Sequence, residues 1–338
     1  TEDLKSLVAS FLSTYKDGKR ANTSNYKMYD VYTKEKVEEY KKLVTEILGN
    51  DDKLIPWVKK LEETSGSKML INNIQLKKNI GNLREIFPNF KEFIDHVENY
   101  IYLNDMGDGH FSIPPSLLVS SPGIGKTFFL SSLSKAVGVT YDMINMESVS
   151  AGFALIGGNA QWANGNPGLV FQNLFKSEYA NSILILDEID KTPKGSYPVD
   201  SALLPLLETH TAIKFRDEFI QIPLDIRKAV WVATANDSNN ISAPIKSRFQ
   251  IFNIPNPTFA ERKILIGAIY KALIADNSWG DKFEKEVSDE VQNELASDSN
   301  SSRDLRKALL KAFGKAAKRN DTKTVSYTHL RAHETRED

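Results

Sequence analysis

Apolar residues recur with a helical period in the first part of the chain. Between residues 37 and 47 they return at intervals of three and four, which places them on one face of a helix, while lysine and glutamate fill the other face, and Gly49 ends the segment. Residues 1–87 are therefore predicted to form a helical amino-terminal region with one packed face and one solvated face. The apolar stripe consists of Val37, Tyr40, Leu43, Val44 and Ile47.

From about residue 88 the pattern changes to short apolar runs separated by amphipathic helices. A strand that is covered on both faces has a continuous apolar run, and such strands alternating with helices build a parallel sheet. Residues 88–257 are therefore predicted to be an α/β core around a parallel five-stranded sheet. The runs are SLLVS (116–120), YDMINM (141–146), SILILD (182–187), VWVATA (230–235) and QIFNI (250–254).

Strand signals stop at the end of this core, and helical spacing returns. Thr258 and Glu261 have the spacing of a capping box at a helix start. After a polar loop, a last helix is predicted from about Arg303. Residues 258–319 are therefore predicted to be a small α-helical lid domain. Residues 320–338 are assigned to a linker and a non-native tail, because the closing segment resembles translated sequencing-adapter read-through.

Composition limits the class of protein. The 338 residues are 41% hydrophobic and 26% charged, as in a soluble globular protein, and the formal net charge is -1. A near-neutral charge disfavours a nucleic-acid or membrane partner. The sequence has no apolar run of the roughly 20 residues that a membrane-spanning helix needs. It also has no cysteine, which fits a cytoplasmic location.

Residues 120–127, SSPGIGKT, lie between an apolar run and an amphipathic helix. This context suits a phosphate-binding loop, in which glycines hold backbone N–H groups open toward phosphate at a helix N-terminus. Lys126 would reach the β and γ phosphates, and Thr127 would coordinate Mg²⁺. Ser120 stands where such loops open with glycine, a change that affects the turn more than the phosphate contacts. The predicted nucleotide contacts are Ser121, Pro122, Gly123, Ile124, Gly125, Lys126 and Thr127.

A pair of carboxylates ends the third apolar run, in ILILDEID at 183–190. Asp187 would hold Mg²⁺ through water, and Glu188 would polarise the water that attacks the γ phosphate. Carboxylates at a strand end could also cap a helix or simply be solvated. In combination with the phosphate loop upstream, they predict an ATP or GTP site.

Four motifs follow one another along the chain: SSPGIGKT, LDEIDK, VATAN and SRF. In this order they resemble the AAA+ ATPases, and over about residues 88–315 the chain is similar to the ATPase module of Lon-type proteases. The resemblance implies ATP and Mg²⁺ as ligands and a homo-oligomeric ring, with a hexamer as the usual form. It implies that Asn236 senses the γ phosphate and that Arg248 reaches into a neighbouring subunit's site. The second sensor arginine best matches Arg303, with Arg306 as the competing candidate.

Residues 155–172, LIGGNAQWANGNPGLVFQ, resemble the Lon segment that precedes the strand with the acidic pair. In that family an aromatic residue on a flexible loop grips an unfolded chain in the central pore, and Trp162 matches its position. The surrounding glycines and asparagines predict a mobile loop with few packing partners. Ala163 and Asn164 depart from the family pattern, which has a larger apolar residue and a glycine there. The alternative is a Trp162 that is tucked into the core.

These features predict a ring ATPase that couples ATP turnover to the unfolding or remodelling of a protein substrate. The sequence has no HExxH and no GxSxG motif, and nothing after the lid reads as a Ser-Lys peptidase domain, so no peptidase is expected in this chain. Three alternatives stay open. They are an AAA+ ATPase that acts on nucleic acid through the lysine-rich amino-terminal region, a slow nucleotide-dependent scaffold, and a truncated Lon-like protease.

Overall fold

The structure is a computed structural model that describes residues 26–47, 53–64, 66–139, 141–193, 197–297 and 301–319. The predicted tail at 320–338 lies outside these residues. Within them, no helix is both long enough and apolar enough to cross a lipid bilayer.

Strands and helices alternate along most of the described chain. The strands are β1 (Lys27–Asp30), β2 (Ser67–Leu70), β3 (Ser116–Val119), β4 (Tyr141–Asn145), β5 (Ile183–Asp187), β6 (Phe215–Arg216), β7 (Pro223–Leu224), β8 (Val230–Ala235) and β9 (Gln250–Asn253). The helices are α1 (Lys34–Lys42), α2 (Ile55–Glu63), α3 (Ile74–Ile86), α4 (Lys91–Met106), α5 (Lys126–Val137), α6 (Gly152–Ile156), α7 (Leu169–Lys176), α8 (Val199–Leu207), α9 (Thr209–Ala212), α10 (Ala243–Lys246), α11 (Phe259–Asp276), α12 (Asp289–Ser297) and α13 (Ser302–Lys318).

Five parallel strands form the central sheet, in the spatial order β4–β5–β8–β3–β9. Each strand coincides with one of the five apolar runs, so the predicted sheet is confirmed. The chain leaves β3 toward β4 at one edge, and it leaves β8 toward β9 at the other edge. The carboxyl ends of the adjacent strands β3 and β8 therefore form a topological switch point, where α/β proteins place their ligands.

Alternate residues of the strands face opposite sides of the sheet, and each side packs into its own apolar cluster. In β5, Ile183 and Ile185 belong to the cluster that also contains residues of α3, α4, α5 and the helices after β9. Leu184 and Leu186 belong to the cluster that contains residues of α1, α2, α7 and α8. All four side chains are fully buried. The continuous apolar run of β5 therefore reflects a strand that is covered on both faces.

Besides its helices, the amino-terminal region contains a two-stranded antiparallel sheet that the sequence did not predict. Strand β1 pairs with β2, with Met28 opposite Met69. Strand β2 also joins the core, because Met69 N donates to Glu178 O at 3.0 Å and Ala180 N donates to Met69 O at 2.8 Å. Both strands are only 4 residues long. Runs this short and this far apart in sequence leave no local period that signals their pairing.

The apolar stripe predicted on α1 holds for part of its length. Val37, Tyr40 and Val44 are buried, but Leu43 is 39% exposed. From Leu43 the helix continues as a π-helical turn, and this wider turn shifts its residues around the helix axis relative to the α-helical period. The side chain of Ile47, the last residue of the stripe, lies outside the described part of the chain.

Three helices, α11 to α13, follow the sheet within the predicted lid. The capping box predicted at the start of α11 is present, since Glu261 N donates to Thr258 Oγ1 at 3.3 Å and Thr258 N donates to Glu261 Oε2 at 2.7 Å. On α13, Leu309 is buried, whereas the next residue, Leu310, is 40% exposed. Neighbouring helix positions point about 100° apart, so Leu310 falls at the edge of the apolar stripe. The boundaries of the three predicted domains remain predictions.

Candidate nucleotide-binding site

The loop at residues 120–127 connects β3 to α5 at the switch point between β3 and β8. Gly123 (φ +80°) and Gly125 (φ +104°) have the left-handed backbone conformation that favours glycine. A Cβ on Gly123 would lie 2.3 Å from the Cβ of Ser301, so the start of α13 approaches the loop closely. Ser120 has no positive φ. The serine therefore fits without backbone strain in the place of the usual opening glycine.

Lys126 is buried at the start of α5, and acceptors from two strand ends hold its ammonium nitrogen. Nζ donates to Ser120 Oγ at 2.8 Å and to Ser120 O at 3.0 Å. It also donates to Asn236 Oδ1 at 2.9 Å and to Ala235 O at 3.2 Å. Burial lowers the pKa of Lys126, and the carboxylates at the end of β5 oppose that shift. The structure thus brings together Lys126 and Asn236, which the sequence predicted separately.

The acidic pair at the end of β5 is organised by Thr234 on the neighbouring strand β8. Thr234 Oγ1 donates to Asp187 Oδ1 at 2.6 Å and accepts from Glu188 N at 3.0 Å. Glu188 has a left-handed backbone with φ 56°, a conformation that costs a non-glycine residue about 1 kcal/mol or more. The hydrogen bond to Thr234 helps to hold this conformation and fixes where the Glu188 side chain leaves the strand.

Asp190 ties the turn after β5 to the turn after β8. Its Oδ2 accepts a hydrogen bond from Asp237 N at 3.2 Å. Its Oδ1 is buried and has no hydrogen-bond partner within the described residues. A buried acceptor of this kind suits a cation or its water ligands. Asp187 and Thr127 add a carboxylate and a hydroxyl from the adjoining elements, and oxygen donors of these types fit Mg²⁺.

A cavity of about 220 Å³ separates the phosphate loop from α11 and α13. Ser302 N donates to Gly123 O at 2.6 Å across one end of the cavity. Arg262 of α11 lines it and donates to Ala296 O at 3.4 Å. Arg303 and Arg306 are exposed on α13, and neither is among the residues that line this cavity. Their sensor role therefore stays a prediction, and Arg262 is a cavity arginine that sequence reasoning missed.

Arg248 lies in the turn after α10 and is paired within its own chain. Its Nε donates to Glu208 Oε1 at 2.5 Å, and a terminal guanidinium nitrogen contacts the same oxygen. Another nitrogen donates to Ser247 Oγ at 2.8 Å. The Arg248 side chain is 37% exposed. The guanidinium is therefore accessible at the surface, and its contacts with Glu208 set its direction in the single chain.

Trp162 lies at the tip of a loop that is anchored at several points. The Trp162 loop (residues 157–168) runs from α6 to α7, and the Trp162 side chain is 50% exposed, so it is not tucked into the core. Its ring meets Phe153 edge to face, with centroids 6.1 Å apart and planes at 87°. Lys53 and Asp217 both hydrogen-bond to the loop backbone, and the mobility and sparse packing expected of the loop stay predictions.

Residues 116–255 match the family model described as ATPase family associated with various cellular activities (AAA). The chain carries an AAA domain. The match begins at the first residue of β3 and ends just after β9, so it contains all five strands of the central sheet. The phosphate loop, the acidic pair, Thr234 and Asn236 all belong to this AAA domain.

Curated relatives confirm the resemblance to the ATPase module of Lon proteases. The chain is 32% identical over 174 residues to the Lon protease of Mycoplasma mobile, covering 49% of this chain and 20% of the relative. It is 27% identical over 269 residues to the mitochondrial Lon protease homolog of Aspergillus fumigatus, covering 78% of this chain and 23% of the relative. The chain therefore spans about a fifth to a quarter of the length of these relatives.

A solved structure supports the fold of the AAA domain. The closed state of Hsp104 with ATPγS and casein aligns with a TM-score of 0.57 at 16% identity, over 75% of this chain and 50% of that chain. At this identity the likeness concerns the fold alone.

The AAA domain brings some predicted site residues together and leaves others apart. Lys126 and Asn236 are in direct contact, and Asp187 and Glu188 share Thr234. The described contacts of Arg248 and Trp162 lie with other residues. Sequence reasoning missed Thr234, although its place at the end of the strand next to β5 was a usable signal.

Proposed function

We propose that this chain hydrolyses ATP and couples the turnover to unfolding or remodelling of protein substrates, as one subunit of a homo-oligomeric ring. The contact between Lys126 Nζ and Asn236 Oδ1, beside the carboxylates at the end of β5, is the observation that carries the first part. It joins a phosphate-binding cation and a polar sensor at one switch point. Such a site stabilises transferring phosphoryl groups by positioning and charge.

Each residue of the site has a proposed task. The backbone of the phosphate loop and Lys126 hold the phosphates. Thr127 and Asp187 would hold Mg²⁺, which neutralises charge that develops on the phosphates. Glu188 accepts the proton of the attacking water, and its backbone hydrogen bond to Thr234 keeps it at the strand end. Asn236 orients the γ phosphate or the water.

The ring follows from the proposed task of Arg248. Because its guanidinium is exposed and contacts Glu208 and Ser247 rather than the phosphate loop, it is suited to complete the site of a neighbouring subunit. The similarity of the AAA domain to Lon proteases supports an oligomer of this kind. Arg303 is proposed as the second sensor, with Arg306 as the competitor, and this choice needs the lid to move relative to the phosphate loop.

Trp162 is the residue proposed to grip the protein substrate. Its half-exposed ring and the exposed rings of Phe153 and Tyr197 border a cavity of about 320 Å³. Phe153 contacts both of the other rings edge to face. An aromatic residue on the surface of an anchored loop can grip the side chains of an unfolded chain with a large contact area.

Two variants test the two halves of the proposal. Glu188→Gln should lower ATP hydrolysis by at least about 100-fold and retain nucleotide binding. Glu147→Gln, an exposed glutamate after the neighbouring strand β4, is the matched control and should hydrolyse at the parent rate. Equal hydrolysis by parent and Glu188→Gln would overturn the ATPase assignment.

For the second half, Trp162→Ala should abolish stimulation of ATP turnover by a permanently unfolded protein and leave basal turnover intact. Tyr102→Ala removes another exposed aromatic ring, on α4, and should keep the stimulation. Full stimulation in Trp162→Ala counts against a protein substrate at this loop, and stimulation by nucleic acid in place of protein would favour the alternative partner.

A further inference from the structure

We propose that Asp217 is the positioning residue of the Trp162 loop: its buried carboxylate holds the two ends of the loop together and so sets where the Trp162 ring stands. The inference rests on the proposed role of Trp162 in gripping substrate. Asp217 lies directly after β6, outside the loop and outside the phosphate site.

The carboxylate of Asp217 is fully buried and is satisfied by backbone N–H groups. Oδ2 accepts from Gly168 N, the last residue of the Trp162 loop, at 2.7 Å. Oδ1 accepts from Phe219 N and Ile220 N, both at 3.0 Å. A buried carboxylate needs such partners, because an unpaired charge in the interior is strongly unfavourable. Oδ1 therefore stabilises the turn that follows Asp217, and Oδ2 binds the end of the Trp162 loop.

Both ends of the loop must be glycine, Gly157 because it abuts the carboxylate and Gly168 because it abuts the backbone at the other end of the loop. Gly157 has φ +92°, and a Cβ built there would lie 2.5 Å from Asp217 Oδ1. A Cβ on Gly168 would lie 2.3 Å from Gly157 N and 2.2 Å from Leu155 O. Since no side chain fits at either position, the two ends of the loop and the Asp217 carboxylate form one close-packed junction.

The junction is connected to the tryptophan through a short series of contacts. Gly158 N donates to Asn166 O at 3.1 Å, just inside the junction. At the tip, Trp162 N donates to Asn159 O at 3.0 Å. The Trp162 ring packs over Gly158, whose Cβ would lie 3.5 Å from the ring. A shift at Gly168 is therefore expected to move Gly158, against which the Trp162 ring packs.

Asp217→Asn separates the two tasks of the carboxylate. The amide oxygen can still accept from Phe219 N and Ile220 N, so the local turn is preserved. The amide nitrogen that replaces Oδ2 is a donor and cannot accept from Gly168 N. Asp225→Asn is the matched control, because Asp225 lies directly after β7, the partner strand of β6, and bonds to Arg227 rather than to the loop.

The experiment uses the full chain with ATP and a permanently unfolded protein. Asp217→Asn should raise the half-saturating concentration of the unfolded protein about tenfold, as the loss of one charge-assisted hydrogen bond implies, with basal ATP turnover unchanged. The emission of Trp162, taken as the difference between each chain and its Trp162→Phe partner, should shift to longer wavelength. Asp225→Asn should match the parent in both. Unchanged half-saturation and unchanged emission in Asp217→Asn would overturn the proposal.

A measurement on the unaltered chain covers the case in which Asp217→Asn does not fold. The Gly168 amide should exchange its hydrogen at least about 100-fold more slowly than the exposed amide of Asn164, because Gly168 N is bonded to a buried carboxylate. Equal exchange rates would contradict the hydrogen bond from Gly168 N to Asp217 Oδ2. If instead Trp162→Ala keeps substrate stimulation while Gly168 is protected, the gripping function fails and the positioning by Asp217 stands.

Discussion

The ammonium nitrogen of Lys53 lies 2.6 Å from the backbone carbonyl oxygen of Trp162. The same nitrogen lies 3.3 Å from the carbonyl oxygens of Ala160 and Ala163, so one cation joins three carbonyls at the tip of the Trp162 loop. Lys53 precedes α2, and Trp57 of α2 packs edge to face on Phe171 of α7. The amino-terminal region thus holds the loop tip from outside the AAA domain.

Lys53→Met should loosen this tip and keep the fold. Because the lysine is exposed, the lost hydrogen bonds are worth on the order of 1 kcal/mol or less, which corresponds to a few-fold change in half-saturation by unfolded protein. The fluorescence anisotropy of Trp162 should fall. Lys59→Met, at an exposed position of α2, is the control. Anisotropy and half-saturation equal to those of the parent would contradict the contact.

Ser120→Gly should change nucleotide affinity more than catalytic turnover. The Ser120 hydroxyl accepts from Lys126 Nζ at 2.8 Å, and a bound phosphate would compete with it for that nitrogen. Its removal is expected to lower KM for ATP by roughly threefold to tenfold and to leave kcat within about twofold. Ser120→Ala removes the hydroxyl without the added backbone freedom of glycine. A large rise in kcat with constant KM would favour the scaffold alternative.

Arg248→Ala should reduce ATP turnover by about a thousandfold, the usual scale for an arginine that acts across an interface. Mixing it with Lys126→Ala should restore part of the activity, since Lys126→Ala subunits still supply Arg248 to intact sites. Arg227→Ala removes another exposed arginine that is paired with a carboxylate, Asp225, and should keep the parent rate. No recovery in the mixture would mean that Arg248 acts within its own chain.

Burial raises the pKa of Asp217 from its ordinary 3.8 to about 6. Between about pH 4 and pH 6 the folded chain keeps a proton on Asp217 that the unfolded chain has released. The contribution of Asp217 to the free energy of unfolding therefore falls as the pH rises through this range. The free energy of unfolding of the parent minus that of Asp217→Asn should therefore fall by at most roughly 3 kcal/mol over this pH range. Chemical denaturation of both chains from pH 4 to pH 7 measures it, and a flat difference would be inconsistent with the raised pKa.

Local patterns were sufficient for the central sheet and for the phosphate loop. Strand β5 is recognisable because a fully buried strand needs a continuous apolar run. The turn at Gly123 and Gly125 is recognisable because only glycine suits their positive φ. The pairing of β1 with β2 was missed, and so was the exposure of Leu43, because both depend on neighbours that no local period encodes.

By itself, the sequence determined the five-stranded core, the glycine-rich loop with Lys126, and the order of the acidic pair and Asn236, since each depends on burial or backbone needs within a few residues. Only the tertiary structure decided which side chains hold these parts in place. Thr234 meets Glu188 across 46 positions, and Asp217 meets Gly168 across 49. Lys53 meets Trp162 across 109. Hydrogen bonds over such separations exist only after the strands and loops have packed, so no spacing in the sequence reveals them.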